Sequence, residues 1–307
     1  MKYQRFTQVV LVVFKYLTIF EPVKSIYILK IFNSREAIYE YLEELRSAGR
    51  SIGFVPTMGA LHAGHLSLIG AARKQSDIVV CSIFVNPTQF TDKKDLENYP
   101  RPIEDDIRKL KENKCDILFL PDVDEMYNSS EFWEIELGNL DKILEGRIRP
   151  GHYQGVTQIV KKLFDTIQPD YAFFGQKDYQ QVMVIAYMVK KLKIRIRLII
   201  CPIIRDIDGL AMSSRNVYLS PADRNNALAL FHGLSKAKEL FPAKSISQIK
   251  KEISAYLASS PGIEPEYFEI YNARTFRPVS SKRPESIIAL VAARVGSIRI
   301  IDNMILK

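Results

Sequence analysis

Two histidines three residues apart, His62 and His65, have the types and spacing that point most directly to chemistry in this chain of 307 residues. They follow a short apolar run, Ser51 to Val55, and open a segment with helical spacing of apolar residues. A helix N-terminus favours an anion, because its N–H groups are unpaired and its dipole is positive there. Gly59 and Gly64 have no side chains to keep phosphate oxygens away. The pattern predicts a phosphate-binding loop, with a small-residue loop and incidental histidines as the alternative.

Two further segments offer groups that suit a polyphosphate. Lys177 and Asp178 follow Gly175 at a predicted helix start, where a lysine can reach phosphate and the glycine lets the backbone approach a nucleotide. The stretch 212–215, Met-Ser-Ser-Arg, offers two hydroxyls, consecutive N–H groups and a permanent cation. Taken singly, the first pattern is more often a surface salt bridge and the second more often a helix cap. Their meaning therefore depends on whether the fold brings them together.

The elements between these segments alternate as in an α/β fold. Buried strands are indicated by four apolar runs, at 77–85, 115–120, 170–174 and 194–200. The alternation with helices predicts an open parallel, Rossmann-like sheet with helices on both faces, followed by a smaller C-terminal α+β domain. Ligands bind beyond the carboxyl ends of the strands in such sheets. We therefore expect His62, His65 and His152 at one edge of the sheet, and we interpret His232, on a helix, as structural.

The expected domains follow from changes in pattern along the chain. Residues 27–204 are predicted to form the ligand-binding domain, and residues 205–307 the smaller domain, which carries the Met-Ser-Ser-Arg loop. Residues 1–26 are an N-terminal extension whose apolar run, Val9 to Phe14, is too short to span a bilayer. Because Lys15 interrupts the run and no small-residue cleavage site follows it, a signal peptide is not expected either.

Composition restricts the partners of the chain. The formal net charge of +8 would suit a nucleic acid or a membrane surface, but Lys and Arg are mixed with Asp and Glu along the sequence. A polyanionic small substrate satisfies the same charge, so we expect neither a nucleic acid nor a membrane as a partner. Cys81, Cys115 and Cys201 lie in or beside apolar runs without C-x-x-C spacing, which predicts buried thiols in the cytoplasm.

Taken together, the motifs resemble those of the pantothenate synthetase family, ATP-dependent ligases related to class I aminoacyl-tRNA synthetases. The matching motifs are P-T-M-G-A-L-H-A-G-H at 56–65, F-V-N-P-T-Q-F at 84–90, Y-P-R at 99–101, R-P-G-H-Y-Q-G-V at 149–156, F-F-G-Q-K-D-Y-Q-Q at 173–181 and D-G-L-A-M-S-S-R-N at 208–216. The resemblance spans about Lys30 to Ser220. It implies condensation of (R)-pantoate with β-alanine to pantothenate through a pantoyl adenylate, with release of AMP and pyrophosphate.

The resemblance also implies which residues bind the substrates. The implied ATP-binding residues are Met58, Gly59, Ala60, Leu61, His62, Ala63, Gly64, His65, Gly175, Gln176, Lys177, Asp178, Ile204, Met212, Ser213, Ser214 and Arg215. The implied catalytic residues are His62, His65, Lys177, Ser213, Ser214 and Arg215, with His65 matching the proton donor. Gln89 and Gln181 match the pair that holds pantoate, and Gln89 also borders the β-alanine site. Gln176 departs from the family pattern, which often has glutamate there.

The expected reaction builds charge on phosphate oxygens, so Mg²⁺ should bridge the phosphates of ATP. No direct protein ligand is predicted for the metal. Asp105 or Asp106 could hold its waters, although both carboxylates equally suit the N-terminal dipole of the helix that they open. A homodimer is implied by the resemblance alone.

Two other functions are compatible with parts of the pattern. A nucleotidyltransferase could use the same histidine loop to move a nucleotide onto a phosphate-bearing acceptor, but the neutral amides of Gln89 and Gln181 argue against a phosphorylated partner. A basic nucleic-acid-binding module would need a contiguous Lys and Arg face with interleaved aromatic residues. Salt-sensitive binding of RNA or DNA would identify that alternative.

Overall fold

The computed structural model of the protein describes residues 28–127 and 132–307. The predicted N-terminal extension, residues 1–26, lies outside the described residues. None of the helices in the described ranges is both long enough and apolar enough to cross a membrane.

A six-stranded sheet forms the first part of the structure. Its strands are β1 (Lys30–Phe32), β2 (Ile52–Thr57), β3 (Ile78–Ile83), β4 (Ile117–Phe119), β5 (Tyr171–Gly175) and β6 (Arg197–Cys201). Their order is β1-β4-β3-β2-β5-β6, and all neighbouring pairs are parallel. The predicted open parallel sheet is therefore confirmed. β1 was not predicted, because three residues are too few to show a period.

Helices cover both faces of this sheet. They are α1 (Arg35–Ser47), α2 (Ala63–Gln75), α3 (Lys93–Asn98), α4 (Ile103–Glu112), α5 (Val123–Met126), α6 (Leu144–Ile148), α7 (His152–Ile167) and α8 (Tyr179–Lys191). Successive strand side chains point to opposite faces, so Phe54 of β2 packs in one core with α1, α7 and α8. Val55, the next residue, packs in the other core with α2 and α4. Burial on both faces explains why these strands are continuous apolar runs.

The order in which successive strands are added to the sheet reverses at β2. From β2 it proceeds to β3 and β4 on one side, and it then returns to place β5 on the other side of β2. The loops that follow β2 and β5 therefore flank a crevice at the carboxyl edge of the sheet. A switch point of this kind is where open α/β sheets bind ligands.

The C-terminal part is a three-stranded antiparallel sheet covered by two helices. Its elements are α9 (Pro221–Leu240), α10 (Ile246–Ser259), β7 (Ile263–Asn272), β8 (Ile287–Val295) and β9 (Ile298–Ile305). The helices and strands share their own apolar core, which includes Leu234, Ile253 and Val291. The predicted boundary at residues 204 and 205 lies in the segment between β6 and α9, and it stays a prediction.

Strand β9 is held against the first sheet by buried polar contacts. The guanidinium of Arg205 donates to both carboxylate oxygens of Asp302, at 2.6 and 2.9 Å. The side-chain amide of Asn303 donates to the carbonyls of Gln176 and Lys177, both at 2.9 Å. These contacts fix the turn after β5, which contains predicted site residues.

Candidate active site

A cavity of about 230 Å³ lies at the switch point. The predicted residues that line it are Met58, His62, Gly64, His65, Gln89, Gly175, Lys177, Asp178, Gln181, Ile204, Met212, Ser213, Ser214 and Arg215. The predicted residues that do not line it are Gly59, Ala60, Leu61, Ala63, Gln176, Asp105 and Asp106. The fold thus brings the three phosphate-binding candidates and both glutamines to one cavity.

His62 and His65 cap the N-terminus of α2 by accepting hydrogen bonds on their rings from nearby backbone N–H groups. His62 Nδ1 accepts a hydrogen bond from the N–H of Gly64 at 3.1 Å, and His65 Nδ1 accepts one from the N–H of His62 at 3.4 Å. The two side chains thus take the places of serine and glutamate in a capping box. Their ring centroids are 4.0 Å apart, and both rings line the cavity.

These caps determine the tautomer of both rings, and burial keeps the rings neutral. A ring nitrogen that accepts a hydrogen bond carries no proton, so in the neutral imidazole the proton is on Nε2. Burial, followed by the charge of Lys177, lowers the pKa of His62 to about 4. Burial and then neighbouring His62 lower the pKa of His65 well below its ordinary value. Near neutral pH, two neutral Nε2–H donors are therefore available to the cavity.

The loop between β2 and α2 is fixed by Asp106, a buried residue of α4. One carboxylate oxygen accepts from the N–H of Ala60 at 2.8 Å, and the other accepts from the N–H of Leu61 at 2.7 Å. Gly59 has a φ of 81°, and a Cβ there would lie 3.1 Å from the Asp106 carboxylate and 2.9 Å from Ile83. The glycine therefore makes room for the protein's own side chains.

Contacts within the protein bear on the predicted phosphate binding by this loop. The N–H groups of Ala60 and Leu61 point to Asp106, so they are not available to phosphate in this structure. A Cβ on Gly64 would lie 2.7 Å from the His62 ring, so this glycine admits the capping imidazole. Both glycines are therefore required by packing within the protein, and the expectation that they give access to phosphate oxygens stays a prediction.

The interpretation of Asp105 and Asp106 as holders of metal-bound water is not supported by their positions. Both oxygens of Asp106 are occupied by backbone N–H groups, and burial raises the pKa of its carboxyl. Asp105 is half exposed and forms ion pairs with Arg108 and Lys109, at 2.5 and 2.7 Å. Neither lines the cavity. The residues that the structure describes contain no group of three His, Cys, Asp or Glu side chains that could hold a metal ion.

The turn after β5 supplies a cation to the cavity. The side chain of Lys177 is only 19% exposed, and the nearest carboxylate oxygen, from Asp178, is 3.9 Å from its Nζ. A Cβ on Gly175 would meet no atom within 4 Å, so the glycine leaves open space beside the cavity. Gln176 instead donates to the side chain of Asn303 at 3.0 Å, so it joins the two domains.

The Met-Ser-Ser-Arg loop is engaged in protein contacts in this structure. Arg215 forms a bidentate ion pair with Asp95, at 2.8 and 3.0 Å. The hydroxyl of Ser214 donates to the carbonyl of Ala60 at 3.1 Å, which connects this loop to the histidine loop. Ser213 caps the following short helix by accepting from the N–H of Arg215 at 3.3 Å. Contact of Arg215 with a phosphate would require it to leave or share Asp95.

The two glutamines differ in how strongly the protein holds them. Gln89 is buried, its side-chain oxygen Oε1 accepts from the side-chain amide of Asn86 at 3.2 Å, and its side-chain nitrogen lies 2.9 Å from the sulfur of Met58. Gln181 is half-buried, lines the cavity and has no side-chain hydrogen bond within the described part of the chain. Its amide is available as both donor and acceptor.

Several residues that line the cavity have no role that their type and spacing in the sequence indicate. They are Asn86, Tyr99, Arg149, His152 and the apolar side chains of α7, Val156, Ile159, Val160 and Leu163. Arg149 and His152 lie in the motif at 149–156, and His152 was expected at this edge of the sheet, which was the available signal. The apolar side chains gave no signal of a site, because core packing produces the same helical period.

The parallel sheet, its switch point and the paired histidines place the chain in the class of Rossmann-like α/β proteins with a histidine-bearing loop at the ligand edge. The family described as pantoate-beta-alanine ligase matches residues 30–305. The chain belongs to this family.

Relatives agree over most of the chain. The protein is 46% identical over 280 residues to a pantothenate synthetase of Thermotoga petrophila, covering 91% of this chain and 100% of the relative. It is 41% identical over 277 residues to a pantothenate synthetase of Bacteroides thetaiotaomicron, covering 90% of this chain and 98% of the relative. The likeness therefore includes the C-terminal domain as well as the cavity.

Solved structures support the same fold. Pantothenate synthetase from Thermus thermophilus has a TM-score of 0.85 and 37% identity, with 90% of this chain and 99% of that chain covered. A pantoate-beta-alanine ligase from Francisella tularensis, solved in complex with beta-gamma ATP and beta-alanine, has a TM-score of 0.74 and 32% identity. That comparison covers 91% of this chain and 98% of the other.

Proposed function

We propose that the protein condenses (R)-pantoate with β-alanine to form pantothenate, with ATP as the activating substrate. In this proposal, a carboxylate oxygen of pantoate attacks the α-phosphorus of ATP, which forms pantoyl adenylate and releases pyrophosphate. The neutral amine of β-alanine then attacks the activated carbonyl, and AMP leaves. Membership of the pantoate-beta-alanine ligase family supports the overall reaction, and the arrangement of the cavity supports the two steps.

The observation that carries the adenylate route is the set of donors in the cavity. His62 and His65 offer neutral Nε2–H groups there, and Lys177 adds a cation with only a distant carboxylate partner. Negative charge develops on the α-phosphoryl and pyrophosphate oxygens as the adenylate forms. Preorganised donors in a partly buried site stabilise such charge strongly, and removing one costs about 100- to 1,000-fold in rate.

The nucleophiles of the protein do not favour an acyl-enzyme. Cys81, Cys115 and Cys201 are buried, lie outside the cavity lining, and have pKa values raised by burial. The hydroxyl of Ser214 donates to a carbonyl, and Ser213 caps a helix. Transfer of the pantoyl group through the adenylate needs no protein nucleophile.

Pantoate would occupy the part of the cavity between the glutamines and α7. The free amide of Gln181 can accept from a hydroxyl and donate to a carboxylate without adding charge. Val156, Ile159 and Val160 offer an apolar wall to the dimethyl carbon of pantoate. A site of this composition selects a small hydroxy acid rather than a phosphorylated acceptor.

Mg²⁺ is part of the proposal as a partner of ATP. Asp178 is the carboxylate that lines the cavity, and Mg²⁺ commonly binds to nucleotide phosphates, waters and one or two carboxylates. The donor set fits an ion that is held mainly by ATP, with Asp178 as its neighbour. When bound, the metal neutralises charge on the phosphate oxygens.

A homodimer and a cytoplasmic location complete the proposal. The dimer comes from the family resemblance, and the location from that resemblance together with the three free, buried cysteines. Sedimentation of the purified protein would test the dimer.

Exchange of labelled pyrophosphate into ATP tests the proposed order of steps. The exchange should require pantoate and proceed without β-alanine, because the first step is reversible and needs only pantoate and ATP. AMP should accumulate catalytically only when β-alanine is added. Exchange that needs β-alanine, or that proceeds without pantoate, would refute the adenylate route.

A further inference from the structure

Arg149 is a cation at the cavity that no substrate has yet been assigned to. It directly follows α6, and no carboxylate of the described residues lies within ion-pair distance of it. Nearby Glu145 is engaged by Arg299, at 2.5 and 2.7 Å, and by the hydroxyl of Tyr267, at 2.7 Å. A partly buried arginine that lacks a carboxylate partner is costly, unless a ligand supplies the anion.

The orientation of Arg149 is fixed through His152 and the backbone of Gln89. His152 Nδ1 donates to the carbonyl of Gln89 at 2.7 Å, so its Nε2 is the acceptor that faces the Arg149 guanidinium at 3.1 Å. A second nitrogen of Arg149 lies 3.4 Å from the same carbonyl. These contacts use two of the five N–H donors of the guanidinium, and the others remain available to a ligand.

The charges of the three proposed substrates assign the cations of the cavity. Among the described residues that line it, the permanent cations are Lys177, Arg215 and Arg149. Lys177 and Arg215 lie on the turn and the loop that are proposed to bind ATP phosphates. Arg149 is instead tied to Gln89, on the substrate side. The carboxylate of pantoate reacts with the α-phosphorus, and pantoate is proposed to contact neutral amides. The carboxylate of β-alanine does not react and stays charged throughout the reaction.

We propose that Arg149 binds the carboxylate of β-alanine and thereby sets the enzyme's preference for an amino acid as the second substrate. The inference rests on the proposed function and names the residue that recognises the acceptor. The planar guanidinium can bind a carboxylate with two parallel hydrogen bonds, which fixes direction as well as position. With its carboxylate held there, β-alanine extends its amine into the cavity.

A substrate that lacks the carboxylate separates direct recognition from a structural effect. The amide 3-aminopropanamide has the same amine and length as β-alanine, without the negative charge. The wild-type enzyme should use β-alanine about 100-fold better in kcat/KM, because a site built for a charged group discriminates against its absence. Arg149→Gln should lower kcat/KM for β-alanine about 10- to 100-fold and reduce the preference to below about 10-fold. Arg149→Lys keeps the charge but cannot form two parallel hydrogen bonds. Its kcat/KM for β-alanine and its preference for β-alanine over the amide should lie between those of the wild type and of Arg149→Gln.

Three controls make the outcome decisive. Arg147→Gln, at an exposed arginine two residues earlier, should keep the wild-type preference. Melting temperatures report whether each variant folds. Pantoate-dependent pyrophosphate exchange should fall far less than amide formation in Arg149→Gln, since the first step does not involve β-alanine.

The possible failures are distinguishable. Equal losses for both amines with an unchanged preference would overturn the inference and give Arg149 a structural role. A loss of exchange as large as the loss of amide formation would place Arg149 on ATP or pantoate, and would overturn it too. Absence of pantoate-dependent exchange in the wild-type enzyme would instead refute the proposed function.

Discussion

His62 and His65 each cap α2 with Nδ1 and leave Nε2–H for the cavity. One side chain therefore has a folding role and a proposed catalytic role at the same time. Alanine at either position removes both, so a loss of activity in that variant has two explanations. A substitution that keeps the cap is needed to separate them.

We expect His62→Asn to retain the stability of the wild-type protein but to have a much lower kcat. Asparagine is among the best N-cap residues, whereas alanine costs about 1 kcal/mol there. Both His62→Asn and His62→Ala should lower kcat by about 100- to 1,000-fold, since both remove a preorganised donor. Denaturant titration should show the stability loss only for alanine. A near-normal kcat for His62→Asn would show that His62 serves the helix alone.

The buried histidines should make the ligand-free protein less stable in mild acid. Burial lowers the pKa of His62 and of His152 to about 4, and the pKa of His65 also falls well below 6.5. Between pH 6.5 and 4 the unfolded chain binds these protons and the native protein does not. Stability contributed by the neutral rings is complete above pH 6.5 and is lost as the pH falls, by about 1.4 kcal/mol per pH unit for each group.

A histidine variant isolates this effect from other groups. Burial raises the pKa of Asp106 and Asp302, which acts in the opposite direction, so the informative quantity is a difference between proteins. Denaturant titrations at several pH values between 4.5 and 7 give the free energy of unfolding as a function of pH. The slope of this free energy against pH should be smaller for His152→Gln than for the wild type, by the equivalent of one proton. His232→Gln, at an exposed histidine of α9, should keep the wild-type slope. Identical slopes for all three proteins would contradict the account.

At the level of elements, α4 acts on the site through Asp106 and not through the adjacent Asp105. The sequence offers no means of telling them apart, since both lie in the first turn of a helix. Only the three-dimensional structure shows that Asp106 faces the histidine loop and Asp105 faces solvent. Backbone N–H groups as partners leave no pattern in side-chain types, so this contact was not predictable.

We therefore expect opposite outcomes at these two neighbours. Asp106→Asn should cost about 1–3 kcal/mol of stability, because an amide cannot accept on both of its polar atoms. It should also raise KM for ATP, because the loop before α2 loosens. Asp105→Asn should stay within about 0.5 kcal/mol of the wild type. Titration of the rate with Mg²⁺ should give the same midpoint for both variants, and a shift would restore a metal-binding role.

Two glycines provide a second contrast between fold and site. Gly59→Ala should destabilise by about 1–3 kcal/mol, because its positive φ is strained for alanine and the Cβ would press on Ile83. Gly175→Ala meets no neighbour, so its melting temperature should be unchanged while KM for ATP rises roughly tenfold. Stability and ATP kinetics of the two variants check this. An unchanged KM for ATP in Gly175→Ala would show that ATP does not bind close to this turn.

For the whole molecule, the sequence was most informative about elements with a strong period. The apolar runs of β3 and β5 predicted the parallel sheet because both of its faces are buried. Positions of the histidines relative to β2 then followed from the order of strand, turn and helix. Edge strand β1 escaped prediction, and so did the buried polar contacts of Arg205 and Asn303 between the domains.

Site residues were predictable where their type and spacing imply a chemical role. They were less predictable where the role depends on contacts between segments that are distant in the sequence. His62, His65 and Lys177 were identified from type and spacing, and all three line the cavity. Arg149 was not assigned a role, because an arginine in a polar loop is ordinary until its lack of a carboxylate partner is seen. The pairing of Arg215 with Asp95 likewise joins segments 120 residues apart.

The transfer of oxygen from pantoate tests the central proposal most directly. The reaction is run with ATP, β-alanine and pantoate whose carboxylate carries heavy oxygen, and the AMP is examined by mass spectrometry. If the carboxylate attacks the α-phosphorus, one labelled oxygen remains on that phosphorus when the amine displaces AMP. We therefore predict one heavy oxygen in each AMP and one in each pantothenate. Label retained in pantothenate, with none in AMP, would contradict the adenylate route.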